Sequence, residues 1–141
     1  MIKIAVIDGQ GGGIGSLVVK RLRDTFGDKV EVIGLGTNSQ ATVAMLKARA
    51  NKGATGENAI ITNSGRVDLI IGSISILMAD SMMGEFTLKM ANAISTSNAK
   101  KILIPLNQEG IEIIGIKRQP LPHMVDDLMI EITKIMEACD V

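Results

Sequence analysis

The sequence predicts an α/β fold: a Rossmann-like three-layer sandwich, with a mostly parallel sheet and an antiparallel hairpin at one edge. Three observations lead there. IKIAVID, VEVIGL and VDLIIGSI are near-continuous apolar runs, the pattern of strands buried on both faces. Segments of helical period lie between them. The resulting order, strand then helix three times over, is the signature of a parallel sheet covered on both sides. The 141 residues are expected to form a single domain over 1–141, long enough to bury its own core.

The elements follow in order. Ile2, Ile4, Ala5, Val6 and Ile7 form the first strand, which runs into Asp8. Ile14, Leu17, Val18, Leu22 and Phe26 recur at helical spacing, and Gly27 supplies a stop. VEVIGL is the second strand, and Thr37, Asn38 or Ser39 is suited to cap the next helix. That helix is lined by Ala41, Ala44, Met45 and Ala48 and stops at Gly53. GATGEN reads as a tight turn leading to a short helix from Glu57 to Ser64, with a strand over Ala59 to Thr62 as the alternative. VDLIIGSI is the next buried strand, and Phe86, Met90, Ala91 and Ile94 mark another helix. KKILIPLN and GIEIIGIK both read as strands. Only three residues, Gln108 to Gly110, separate them, far too few for a parallel crossover, so the pair is expected to be a hairpin. Leu121, Val125, Leu128, Met129, Ile132 and Ile135 give the last helix its apolar face.

Composition narrows the function classes. Lys plus Arg and Asp plus Glu are 15 each, so no net charge argues for nucleic acid or an anionic membrane surface. The chain has no Trp and no Tyr, and Phe26 and Phe86 are its two aromatics, which nearly excludes base-stacking platforms for single-stranded nucleic acid. No apolar run has the length of a membrane span. The expected location is cytoplasmic, and the lone Cys139 fits a reducing compartment. One His and one Cys do not make a zinc site of the usual kind, and His123 stands in no nucleophile motif. Met78, Met82, Met83 and Met90 are either core filling or an adaptable interface, and a homo-oligomer is expected.

The chemistry concentrates in DGQGGGIG, where Gly9, Gly11, Gly12, Gly13 and Gly15 fall within seven positions after the first strand. Glycines allow positive φ and close approach of a ligand to the backbone. The following helix start offers free N–H groups and partial positive charge. The predicted cradle comprises Asp8, Gly9, Gln10, Gly11, Gly12, Gly13 and Gly15, with the amides of Gly11 to Gly13 facing a small anionic ligand. The spacing of Gly9, Gly13 and Gly15 resembles the TGxxxGxG loop of short-chain dehydrogenases, with Asp8 in place of the threonine. That likeness ends with the loop, because those enzymes use a Tyr–Lys pair. A ribose-gripping acid is expected about 20 residues on, at the end of the second strand. The sequence there is Ile33-Gly34-Leu35-Gly36-Thr37-Asn38, without an acid. A Walker loop is excluded, since no Lys-Ser or Lys-Thr follows the glycines. Asp8 either faces a cation or braces the turn.

Ligands of doubly wound sheets bind outside the carboxyl ends of the strands. That edge should also carry Thr37, Asn38, Ser73 and Asn107, with the Ser73–Glu85 loop, including Asp80, Ser81 and Glu85, as a wall. Thr37 and Asn38 are equally suited to helix capping. Thr55, Glu57 and Asn58 are either a second half-site or a capped helix start.

IDGQGGGIG, GATGENAI, DSMMGE and KILIPLN together resemble a small bacterial family known as domain of unknown function 3842, nearly to Lys117. The resemblance implies a Rossmann-like fold and supplies no activity. The expected function is binding of a nucleotide or other phosphate-bearing ligand, a nucleotide or dinucleotide cofactor included. A non-enzymatic oligomeric module on the same scaffold is the alternative, and catalysis is left open. A nicotinamide oxidoreductase would need a ribose grip that the sequence does not display.

Overall fold

Residues 1–106, 108 and 110–139 are described by the structure, a computed structural model. Five strands form one parallel sheet: β1 (Ile2–Asp8), β2 (Val30–Gly36), β3 (Lys52–Thr55), β4 (Leu69–Ser73) and β5 (Lys100–Ile104). Their order is β3-β2-β1-β4-β5, so the chain winds outward from β1 in one direction and then returns to wind out in the other. Among the described residues there are five α-helices: α1 (Gly13–Phe26), α2 (Ser39–Lys47), α3 (Glu57–Ser64), α4 (Leu88–Thr96) and α5 (Leu121–Cys139).

Alternation along the strands divides the core in two. Ile4, Val6, Leu69 and Ile71 face one side and pack against Val18 and Leu22 of α1, Met45 of α2 and Val125 and Ile132 of α5. Ala5, Ile7, Leu35 and Ile70 face the other and pack against Ile60 of α3, Phe86, and Met90 and Ile94 of α4. Burial on both faces explains why these strands read as unbroken apolar runs.

The helix ends follow local chemistry. Asn38 caps α2 by accepting the Ala41 amide at 2.9 Å, and Thr87 caps α4 by accepting the Met90 amide at 3.2 Å. The short helix expected from Glu57 to Ser64 is present as α3. Arg23 of α1 is buried despite its charge. Its guanidinium donates to the carbonyls of Arg49 at 2.7 Å and Gly27 at 2.8 Å, and to the side-chain oxygen of Asn51.

Two expectations are corrected. The segment before α3 contributes the edge strand β3, which pairs Lys52–Thr55 with Ile33–Gly36. Lys-Gly-Ala-Thr has no apolar pattern, and its pairing comes from β2 rather than from itself. Among the described residues the expected hairpin does not form. β5 is an edge strand, and residues 110–120 beyond it are exposed; among the described residues only an isolated antiparallel bridge, Gln108 to Ile111, is found there. Three causes are visible. Pro105 lacks the N–H needed to continue the ladder. A hairpin turning at Gln108–Gly110 would set Lys101 against Lys117 and Lys100 against Arg118, and like charges directly opposite destabilise a strand pair. Gly115, at φ 89°, turns the segment instead.

Candidate functional site

The carboxyl ends of β1, β2 and β4 converge on the glycine loop. Two carboxylates, Asp8 and Glu85, accept backbone amides of that loop. Asp8 ends β1 and is buried. Its Oδ1 accepts the Gly9 amide at 2.8 Å and its Oδ2 the Gly15 amide at 2.6 Å. Asp8 therefore braces the turn and places a negative charge at the start of α1, whose N-cap Gly12 offers no side chain. Burial pushes the Asp8 carboxyl above the usual aspartate range, and the bonds from Gly15 and Gly9 pull it partly back.

Glu85 arrives from the β4–α4 connection. Its Oε1 accepts the Thr37 hydroxyl at 2.5 Å, the Asn38 side-chain amide at 2.8 Å and the Gln10 backbone amide at 2.9 Å. These bonds, that of Thr37 first, hold its carboxyl below the usual glutamate range. Oε2 has no hydrogen-bond partner among the described residues. Asn38 also donates to the Gln10 carbonyl at 3.0 Å, and the Thr37 amide donates to the Asp8 carbonyl at 3.0 Å, so the loops after β1 and β2 are tied together.

The segment that delivers Glu85 is tightly bent. Asp80, Met82 and Met83 all have positive φ, at 64°, 56° and 56°. Ser81 anchors it by donating to the Ser75 carbonyl at 2.7 Å, and the fully buried Phe86 fixes its far end. Of its methionines, Met82 lies over Gly9 and Met83 is 94% exposed.

The five glycines divide into two groups. A Cβ on Gly9 would lie 2.6 Å from both the Met82 sulfur and the Thr37 hydroxyl oxygen. On Gly12, at φ 75°, it would lie 2.8 Å from the Ala41 Cα, and on Gly15, 2.9 Å from the Asp8 Cβ. These three are buried, and the fold requires them. Gly11 and Gly13 are exposed, have no positive φ, and would offer a Cβ open space. Their amides have no hydrogen-bond partner among the described residues.

The structure thus brings together Asp8, Gln10, Thr37, Asn38 and the glycines. Ser73 ends β4, one strand over, but bonds to the Ser75 hydroxyl rather than to the loop. Thr55 bonds to the Thr42 hydroxyl at 2.7 Å, and Glu57 accepts the Thr87 hydroxyl at 2.7 Å, so neither reaches the loop. Asn107 lies outside the described residues. Glu85 is the residue that sequence reasoning placed only as a wall; no local signal marks it, since its partners lie 48 and 75 residues away. Among the described residues no three His, Cys, Asp or Glu side chains gather as a metal site, and no helix is long and apolar enough to cross a membrane.

The fold and loop define a parallel α/β domain with a glycine-rich turn between its first strand and first helix. The chain belongs to the family described as domain of unknown function (DUF3842), which it matches over residues 3–137. No curated protein matches it. Among solved structures it is similar to a universal stress protein crystallised in complex with cAMP. That likeness has 13% identity and a TM-score of 0.42, over 74% of this chain and 98% of the other.

Proposed function

We propose that this protein binds a ribonucleotide, with phosphate on the Gly11 and Gly13 amides and ribose against Glu85. The observation that carries the reading is the use of glycine where the fold has no need of it. Gly11 and Gly13 have open space and ordinary backbone, so the missing side chains leave room for something outside the chain. Their unpartnered amides at the start of α1 suit an anion.

Glu85 supports the ribose half. Folds that grip a nucleotide ribose use an acid at the end of the second strand. The sequence has none there, yet Glu85 sits against Thr37 and Asn38 at that position. Three donors on Oε1 keep it ionised and fixed, leaving Oε2 to accept from ribose hydroxyls. The ligand's phosphate must lie away from both carboxylates, which places it toward Gly11 and Gly13 rather than Gly9 and Gly15.

A chain without Trp or Tyr absorbs almost nothing in the near ultraviolet. The first test is therefore the spectrum of freshly purified protein, with mass spectrometry of the filtrate after denaturation. An adenine-like band identifies a bound nucleotide. Protein without such a band is titrated with AMP, ATP and NAD by equilibrium dialysis. Binding is expected to be lost in Gly13→Val, with the far-ultraviolet circular dichroism unchanged. Equal binding by Gly13→Val, or no binding of any of the three, overturns the reading.

A further inference from the structure

Residues 110–120 are exposed without a break, and they include Ile111, Ile113, Ile114 and Ile116. Ile114 is 94% exposed, and the other three are 39–45% exposed. Beside them, β5 is an edge strand, and a shallow cleft of about 300 Å³ opens between its Ile102–Ile104, Ile116 and Leu128 of α5. Four isoleucines in six positions are far more apolar side chain than a solvated turn needs. The same residues have the β-branching of a strand, and when extended they put Ile111 and Ile113 on one face and Ile114 and Ile116 on the other. As shown above, charge disfavours their pairing with β5, where lysine would meet lysine.

Charge favours another partner. Alternate positions of the segment are Glu112, Ile114, Ile116 and Arg118, which share one face when it is extended. Two copies paired antiparallel about Gly115 set Glu112 opposite the second copy's Arg118, and Ile114 opposite its Ile116. By symmetry each pair occurs twice. That face is self-complementary in both charge and apolarity, while on the other face Ile113 lies opposite Lys117. Opposite charges and β-branched residues directly across a strand pair both stabilise it. Gly115 sits on the twofold axis, and glycine permits the turn of the single chain as well as the extended form of the pair.

We infer that residues 112–118 form a homotypic antiparallel strand pair that joins two copies of this chain. This inference is independent of the ligand reading, and its test contains no nucleotide. The full chain is examined by sedimentation equilibrium, with variants Glu112→Arg, Arg118→Glu and the double exchange. The expected result is a dimer weakened about tenfold or more by each single reversal and restored when both are combined. In a Cys139→Ser background, Gly115→Cys should oxidise to a covalent dimer, because residues on the axis meet within disulfide reach. A chain monomeric at every concentration overturns the inference. So does a dimer indifferent to both single reversals, which would place the contact elsewhere, as would Gly115→Cys that stays uncrosslinked.

Discussion

Asp8 and Glu85 grip the same glycine loop at different amides, and their carboxyl groups are shifted in opposite directions. Both accept backbone amides of the loop. Asp8 is buried, so desolvation outweighs its bonds and raises it. Glu85 keeps contact with solvent, so its bonds win and lower it. The difference separates two jobs that residue type alone does not distinguish. A buried carboxylate with both oxygens committed is a brace. A fixed, ionised carboxylate with one uncommitted oxygen can accept a hydrogen bond from a solute.

The sharpest way to break this contrast is to remove each acid. Asp8→Ala leaves the Gly9 and Gly15 amides buried without an acceptor and should cost about 3 kcal/mol in urea unfolding. A loss below about 1 kcal/mol would end its role as a brace. Gly15→Ala attacks the same brace from the helix side. Its Cβ would meet the Asp8 Cβ at 2.9 Å, and about 2 kcal/mol should be lost. Glu85→Gln keeps the acceptor Oε1 and should leave stability within about 1 kcal/mol, while nucleotide affinity falls about tenfold. Unchanged affinity would remove Glu85 from the site and leave the phosphate half of the reading standing.

Acid titration probes the contrast more finely. The folded pKa of Asp8 is raised, so on acidification the folded state takes the proton first. Stability relative to Asp8→Asn therefore rises as pH falls toward the ordinary aspartate range. The folded pKa of Glu85 is lowered, so its contribution is complete above the ordinary glutamate range and is lost as pH falls through the lowered value. Urea midpoints measured against Asp8→Asn and Glu85→Gln should diverge in opposite directions, and parallel curves would show that the two sites are equivalent. The smallest expected effect is that of Gly11→Ala, which should change stability by no more than about 0.5 kcal/mol and still weaken nucleotide binding.

The sequence is most legible where one segment determines its own environment. β1, β2 and β4 are buried on both faces and announce themselves as apolar runs. α3, between Gly56 and Gly65, is punctuated by glycine at both ends. Asp8 and the glycines of the loop lie within eight consecutive residues and are visible together. Reading fails where a partner decides. β3 is a strand because β2 holds it. GIEIIGIK has the pattern of a strand but meets like charge where its expected partner lies. Arg23 has polar neighbours in sequence, yet it is buried because the carbonyls at the ends of α1 and α2 need a donor. Glu85 belongs to the loop only through contacts made across the sheet.

That last distance bears on how recognition is assembled as the chain is made. The first 65 residues hold β1 to β3, the glycine loop and the Asp8 brace. Glu85 follows β4, which pairs with β1, and directly precedes the buried Phe86. On the proposed reading, the amides that would meet phosphate are thus made before the carboxylate that would meet ribose. Under that proposal, telling a ribonucleotide from a bare phosphate would require the finished sheet.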